Sequence, residues 1–504
     1  MEISVKKQKT PRKGERMEQK THASADKDYL DVLQDVRDHG LYPLHMPGHK
    51  RHTRFGTALP FGLDVTEIDG TWDLHHPDAL LKERLDAVAR FVGASCTFYT
   101  VQGSTGGNLA GMYTLCPPGS DVLLSRASHQ SLYHGVELLQ LNPIYLMPDL
   151  RVPGIPGPVR PAQVEAALKK NPTIKTVLIT SPTFEGQRCD IRSIAAICHA
   201  YGASLLVDQA HGAHLRYLTG IGPNYSDAVA DGADIVIESL HKTLPALTPA
   251  ALVHASSRVD QTELARALSI FETSSPSHIL LASIDHCMRL LEREGVSLHQ
   301  KMWQAWQSAA LPLRNLKALE WMQFSDEASL PSDPFRVVIS TARASLSGPE
   351  LANLLRQRGF EVEMAQAEHV LFILTIGDDP AIFPSLAQAL SDIDKTLTVC
   401  PAKRPVASLP PLPEKVLSIA EARRSRKIIQ PLSQTAGGIA AESLWTYPPG
   451  IPLLVPGERI RQETLEALEG MASRHVKLRT EREPGGGTYE ELSLCVLEEE
   501  PSTK

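Results

Sequence analysis

Ile235-Val236-Ile237-Glu238-Ser239-Leu240-His241-Lys242 is a short β-branched run that passes into a polar turn and closes on a lysine. The run Ile235–Ile237 reads as a buried strand. A lysine just past its end can become an amine nucleophile if desolvation or nearby positive charge lowers its pKa. Taken alone, Ser239-Leu240-His241-Lys242 reads more simply as a surface lysine with its head in water.

Upstream segments change that balance. About 34 residues before the lysine, Leu205-Leu206-Val207-Asp208 is a strand ending in a carboxylate, followed by Gln209-Ala210-His211-Gly212-Ala213-His214. An Asp there can pair with a pyridinium nitrogen and keep it protonated. It can equally cap the next helix. Ala210 is small enough for a flat ring to lie against the backbone. Gln102-Gly103-Ser104-Thr105-Gly106-Gly107-Asn108 follows another strand and precedes helical Leu109–Leu115. Glycines and hydroxyls at a helix start make an anion site that suits a phosphate, although an ordinary Gly-rich turn has the same composition. Ser128-His129-Gln130-Ser131 follows a third strand. His129 can stack on a planar cofactor or serve as a partly buried structural residue. Each feature is modest alone. Their order along the chain is that of a pyridoxal-phosphate (PLP) site: phosphate loop, aromatic His, strand-end Asp, strand-end Lys.

The surroundings set the fold class. Strands are expected at Thr97–Val101, Asp121–Leu124, Ile144–Met147, Thr176–Thr180, Ser204–Val207 and Ile235–Ile237, with amphipathic helices such as Pro161–Lys170 and Ile191–Tyr201 between them. Alternation of this kind predicts a mostly parallel sheet with helices on both faces. In such sheets ligands sit beyond the carboxyl ends of the strands. Glu263–Gln307 is long and helical. A second α/β region follows, with strands Phe335–Ile339 and Val370–Thr375 around helical Gly348–Arg358. Pro401–Pro413 reads as a linker. The expected organisation is a disordered tail (1–27), a major domain (28–310), a small α/β domain (311–405), a C-terminal domain (406–475) and a flexible tail (476–504).

Composition narrows the class further. The 504 residues are 42% hydrophobic and 22% charged, with a net charge of −7. That gives no basis for nucleic acid or an anionic membrane as partner. Seven scattered cysteines without a CxxC pair read as reduced, cytoplasmic usage. No apolar run is long enough to span a membrane. No metal site is expected.

With these residues in place, the chain resembles the Orn/Lys/Arg decarboxylase family, fold type I of the PLP enzymes, in its shorter bacterial form without a receiver-like domain. The supporting stretches are Leu44–Lys50, Asp64–Asp69, Asp73–Pro77, Gly103–Asn108, Ser181–Thr183, Asp208–His214, Ser239–Lys242, Thr273–Pro276, Tyr447–Pro452 and Val455–Glu458. The resemblance implies a seven-stranded sheet flanked by helices, with smaller α/β C-terminal domains. It implies that Lys242 holds PLP as a Schiff base and that Asp208 pairs with the pyridine nitrogen. His129 would stack on one ring face and Ala210 pack on the other. Ser104, Thr105, Ser239 and His241 would hold the phosphate, with Ser274 or Ser275 reaching the site of a neighbouring subunit. Thr183 and His211 would lie near the ring. The implied function is decarboxylation of arginine, lysine or ornithine in polyamine metabolism, by a homodimer or larger homo-oligomer.

The chain departs from the family pattern in four places. Pro249 stands where an amide side chain is usual, Gln209 where a carboxylate is usual and Gln130 where a lysine is usual. Phe184-Glu185 follows Thr183, where aromatic residues are more common. An aminotransferase or another PLP lyase, and a weakly active PLP-fold scaffold, are the alternatives. Glu67, Asp69 and Asp73 could meet a substrate's distal cation or simply cap loops.

Overall fold

The computed structural model describes residues 28–38, 60–148, 155–222, 224–324, 330–400, 411–446, 451–473, 477–483 and 486–498. Leu44–Lys50, Tyr447–Gly450, most of Pro401–Pro413 and the segment expected as an N-terminal tail (1–27) lie outside these residues.

The first unit holds seven strands: β1 (Cys96–Thr100), β2 (Asp121–Ser125), β3 (Asn142–Leu146), β4 (Thr176–Thr180), β5 (Ser204–Asp208), β6 (Ile235–Ser239) and β7 (Ala251–Ala255). Their order in the sheet is β1-β7-β6-β5-β4-β2-β3. Only β7 runs against the others. The helices are α1 (Tyr29–Asp38), α2 (Ala79–Val92), α3 (Gly103–Leu115), α4 (Gln130–Leu138), α5 (Pro161–Lys170), α6 (Ile191–Ala200), α7 (Leu240–Thr243), α8 (Gln261–Phe271) and α9 (His278–Ala309). The six strands expected from sequence appear within two residues of their bounds. The seventh, Ala251-Leu252-Val253-His254-Ala255, escapes a sequence reading because it is short and poor in β-branched residues.

Strand alternation feeds two cores. Val122, Leu124, Leu178, Leu206, Ile235 and Ile237 pack with α3 and α4. Leu123, Val177, Ile179, Leu205, Val207 and Val236 pack with α5 and α6 on the opposite face. Each fully buried side chain of this kind contributes about 1.5–3 kcal/mol, which accounts for near-continuous apolar strands.

One expectation needs correction. Gly103–Asn108 is not a loop before a helix; it is the first half of α3. Glycine is a poor helix former, by about 1 kcal/mol per residue, so local preference points to a turn. Packing reverses it. A Cβ on Gly107 would lie 2.9 Å from both Ile237 Cγ2 and Val253 Cγ2, and one on Gly111 would lie 2.7 Å from Leu206 Cδ1. The absent side chains let α3 lie directly on β5, β6 and β7.

The second unit is a four-stranded antiparallel sheet, order β10-β11-β9-β8, from β8 (Glu320–Trp321), β9 (Arg336–Ser340), β10 (Met364–Gln366) and β11 (His369–Ile373). Helices α10 (Gly348–Arg356) and α11 (Ile382–Thr396) cover it. Met302 and Trp306 of α9 join its core, so this helix ties the two units together.

The C-terminal unit contains α12 (Ile419–Arg424), α13 (Gln462–Ala472), β12 (Lys427–Pro431), β13 (Leu444–Thr446), β14 (Ile451–Leu454), β15 (Leu478–Thr480) and β16 (Ser493–Leu497). Two of these strands, β15 and β16, fall within the segment expected as a flexible tail (476–504). β15 pairs with β13, and β16 with β12. Leu492, Leu494 and Val496 alternate into the core of this unit, a period-2 pattern that the neighbouring glycines and glutamates obscure. The unit docks on the first through Arg126, whose two terminal nitrogens reach Glu458 at 2.7 and 2.9 Å. Both residues are buried.

Two glycine substitutions should move stability in opposite directions. Gly107→Ala adds a methyl between two stiff β-branched neighbours and should destabilise by about 1–3 kcal/mol. Gly470→Ala in α13 meets nothing within 4 Å and should stabilise by about 0.5–1 kcal/mol. Denaturant midpoints for the two variants check both signs.

Candidate active site

One cavity gathers the carboxyl-end residues of the parallel strands. It is lined by Ser104, Ser125, His129, Thr180, Thr183, Glu185, Asp208, Ala210, His211 and Lys242, among others. Asp208 is the last residue of β5. Lys242 lies in α7, directly after β6. Parallel strands bring these ends together from distant parts of the sequence, as such sheets do.

Asp208 is buried and held on both oxygens. Its Oδ1 accepts the Ala210 N–H at 3.1 Å, and its Oδ2 accepts Asn108 Nδ2 at 3.0 Å. Asn108 Nδ2 also donates to Ser131 Oγ at 3.0 Å. Ser131 Oγ in turn lies 2.9 Å from His129 Nδ1, which also accepts the Ser131 N–H at 3.2 Å. The ring of His129 is therefore fixed with Nδ1 as acceptor. Burial lowers its pKa, with Lys242 adding to the effect against the attraction of Asp208. A neutral, oriented imidazole results.

Lys242 is part-buried, and burial lowers the pKa of its amine; Asp208 acts in the opposite sense. Its Nζ lies 3.0 Å from His211 Nε2. His211 Nδ1 accepts from Arg336 Nη2 at 3.1 Å. The Phe184 ring meets the His211 ring edge-on, with centroids 4.8 Å apart. Glu185 is buried in the same wall, and burial pushes its carboxyl up to about 7.

Of the residues expected from sequence, Ser104, His129, Thr183, Asp208, Ala210, His211 and Lys242 line the cavity. Ser239 is wholly buried at the end of β6 and is not among the lining residues. His241 is tied to Ala250 O at 3.0 Å. Thr105, Ser274 and Ser275 are exposed. None of the last four lines the cavity. Glu67, Asp69 and Asp73 do not line it either. Asp73 Oδ1 accepts the His75 and His76 N–H groups at 2.9 Å each, a turn-capping role.

The departures from the family pattern have local causes. Gln209 Nε2 donates to buried Glu238 at 2.7 Å, and its Oε1 accepts the Ala228 N–H at 2.8 Å. A carboxylate there would face Glu238 with no proton between them. Gln130 is exposed and lines a separate groove beside Trp445. Pro249 packs near Gly103, whose φ is 66°.

Sequence reasoning missed Arg336 and the contacts of Asn108 and Glu185. Asn108 lies within a quoted motif, and its facing of Asp208 follows only from α3 being helical up to that point. Arg336 gives no local signal, since it stands 125 residues from His211.

Residues 32–316 match the Orn/Lys/Arg decarboxylase major domain, and residues 412–476 match the Orn/Lys/Arg decarboxylase C-terminal domain. The uncharacterized protein YaaO of Bacillus subtilis is 31% identical over 494 residues, covering 94% of this chain and 99% of that one. An arginine decarboxylase of Bacillus anthracis is 29% identical over 437 residues, covering 84% and 88%. The solved lysine decarboxylase LdcF of Francisella novicida is similar in fold, with a TM-score of 0.77 at 18% identity over 94% of this chain and 81% of that one. The sheet, its order and these likenesses are those of PLP fold type I. The chain belongs to the Orn/Lys/Arg decarboxylase family and is an amino-acid decarboxylase.

Proposed function

We propose that this chain decarboxylates a basic amino acid with PLP held at Lys242. The observation that carries the reading is the meeting of Lys242, Asp208, His129, Ala210 and Ser104 in one cavity. The residues fit the cofactor. Ser239 Oγ is buried with no hydrogen-bond partner among the described residues, a donor left for a ligand. Gly103, at positive φ, opens a 13-residue helix whose N-terminus suits a phosphate.

Lys242 would hold the cofactor covalently, and Ser104 on the cavity wall, with the unpartnered Ser239 hydroxyl, would hold its phosphate. When bound, the cofactor supplies an electron sink for the pair released as the Cα–carboxylate bond breaks. Asp208 would keep a proton on the ring nitrogen. His129, fixed by Ser131, offers a flat neutral face, and Ala210 leaves room on the other side. Glu185 and Asp208 are the carboxyl groups among the described lining residues. With Asp208 engaged, Glu185 is the group available to a substrate's distal ammonium or guanidinium. Arginine, lysine and ornithine would give agmatine, cadaverine and putrescine, in keeping with a role in polyamine metabolism.

Ser274 and Ser275, both exposed, would serve a neighbouring subunit's site in a homodimer or larger homo-oligomer. A cytoplasmic setting fits seven cysteines that form no disulfide. Among the described residues no helix is long and apolar enough to cross a membrane.

Three measurements test the proposal. Carbon dioxide release from L-arginine, L-lysine and L-ornithine, without a keto acid, should exceed background for at least one; background on all three overturns it. Lys242→Ala should abolish the visible absorbance of covalently held cofactor. Asp208→Asn should retain that absorbance and lower turnover by about 10²-fold or more.

Glu185 adds a pH dependence. Its folded-state pKa of about 7 lies above the ordinary 4.5, so the folded protein keeps a proton that the unfolded chain releases. The stability from that proton is full below pH 4.5 and is lost as pH rises through about 7. Glu185→Gln stays neutral throughout. Its melting temperature should gain on the wild type between about pH 5 and 8, by the equivalent of at most roughly 3 kcal/mol. Its KM for the basic substrate should rise.

A further inference from the structure

His211 is hydrogen-bonded on both ring nitrogens, from two different units of the chain. Arg336 Nη2, at the start of β9, lies 3.1 Å from Nδ1, and Lys242 Nζ lies 3.0 Å from Nε2. A guanidinium has only donors and keeps its proton in proteins. A neutral imidazole has one donor and one acceptor. Nδ1 must therefore accept, and Nε2 must carry the hydrogen. The bond to Lys242 then closes only if Nζ accepts, which an ammonium has no lone pair to do. A doubly protonated ring would set Nδ1–H against the guanidinium. Burial, reinforced by Lys242 and Arg336, opposes that state and holds the ring's pKa well below its usual value.

We infer that Arg336, acting through His211, holds the Lys242 amine in its neutral, proton-accepting form. Arg336 is thus a positioning residue, and the inference rests on the reading of Lys242 as the cofactor lysine. The neutral amine is the form that adds to a carbonyl carbon.

The surroundings are built for this contact. Gly186 has φ 91°, and a Cβ on it would lie 2.7 Å from both Cβ and Cγ of Arg336. Only glycine lets the arginine pass at that point. Arg336 Nη2 also donates to His211 O at 3.2 Å, clamping ring and backbone together. Asp333 anchors the other side of the guanidinium at 3.5 Å and is itself held by His214 Nε2 at 3.0 Å and the Phe335 N–H at 2.9 Å. Other titratable groups around Lys242 are Asp208 on β5, His129 before α4, His241 beside it on α7, Glu185 in the cavity wall and Glu363 before β10. Asp208 and Glu363 favour the ammonium; burial and Arg336 oppose it.

The test reads Lys242 directly. The full-length chain, freed of cofactor, is labelled competitively with acetic anhydride across a pH series, and Lys242 acetylation is followed by mass spectrometry. Arg336→Met and His211→Leu should each raise the titration midpoint by about one unit, which is about a tenfold loss of labelling below the midpoint. His211→Leu keeps the arginine charge, so a rise there separates the hydrogen-bond relay from simple repulsion. An unchanged or lowered midpoint in folded His211→Leu overturns the inference. Should the variants not fold, ¹⁵N shifts of histidine-labelled wild type decide: His211 must be protonated at Nε2, and an Nδ1–H form overturns the inference. Failure of the wild type to capture PLP at all, with the midpoint shifts intact, would instead overturn the functional proposal on which the inference rests.

Discussion

The close seat of α3 on the sheet is the constraint on which the site depends. A helix with two glycines, Gly107 and Gly111, on its sheet-facing side gives up local stability to reach backbone-close contact with β5, β6 and β7. That contact puts Asn108 against Asp208 and Ser104 at the cavity wall. A helix standing off by one methyl layer would break the chain of hydrogen bonds from Asp208 through Asn108 and Ser131 to His129. The glycines are thus positional: they set a distance, and the distance sets the polar network.

Two halves of the cavity follow different rules. The sheet side is a line of strand ends, where Asp208 and His129 are held by residues on the adjoining turns and helices. The opposite side comes from the second unit and from Thr183–Glu185. It carries charge in a buried setting: Arg336 against Asp333, and Glu185 with His369 Nε2 at 3.9 Å. Burial pushes His369 down to about 4, so it offers Glu185 no charge near neutral pH. Arg336 attracts the Glu185 carboxylate, but burial outweighs that attraction and favours the protonated acid.

The departures from the family pattern sort themselves on the same basis. Gln209 answers to Glu238, which also receives Arg216 at 2.6 Å, and so belongs to the support of β5 and β6. Gln130 faces another groove. Glu185 alone of these changes lines the cavity as a titratable group. The substitutions that looked equivalent in sequence therefore have unequal reach into the chemistry.

The sequence by itself determined six strands of the large sheet, their alternation with helices, and the placing of Lys242 and Asp208 at strand ends. These are local matters: apolar runs, turn residues and the position just after a strand end are all written within a few residues. It also carried the alternation of Leu492, Leu494 and Val496, although composition hid it. Tertiary structure decided the rest. α3 begins at Gly103 because packing on the sheet outweighs glycine's preference for turns. β7 exists because β1 and β6 need a partner between them. Arg336 meets His211 because a second unit closes over the sheet. Contacts across more than a hundred residues leave no periodic trace in the chain; they exist only once the cores have formed and fixed the distances.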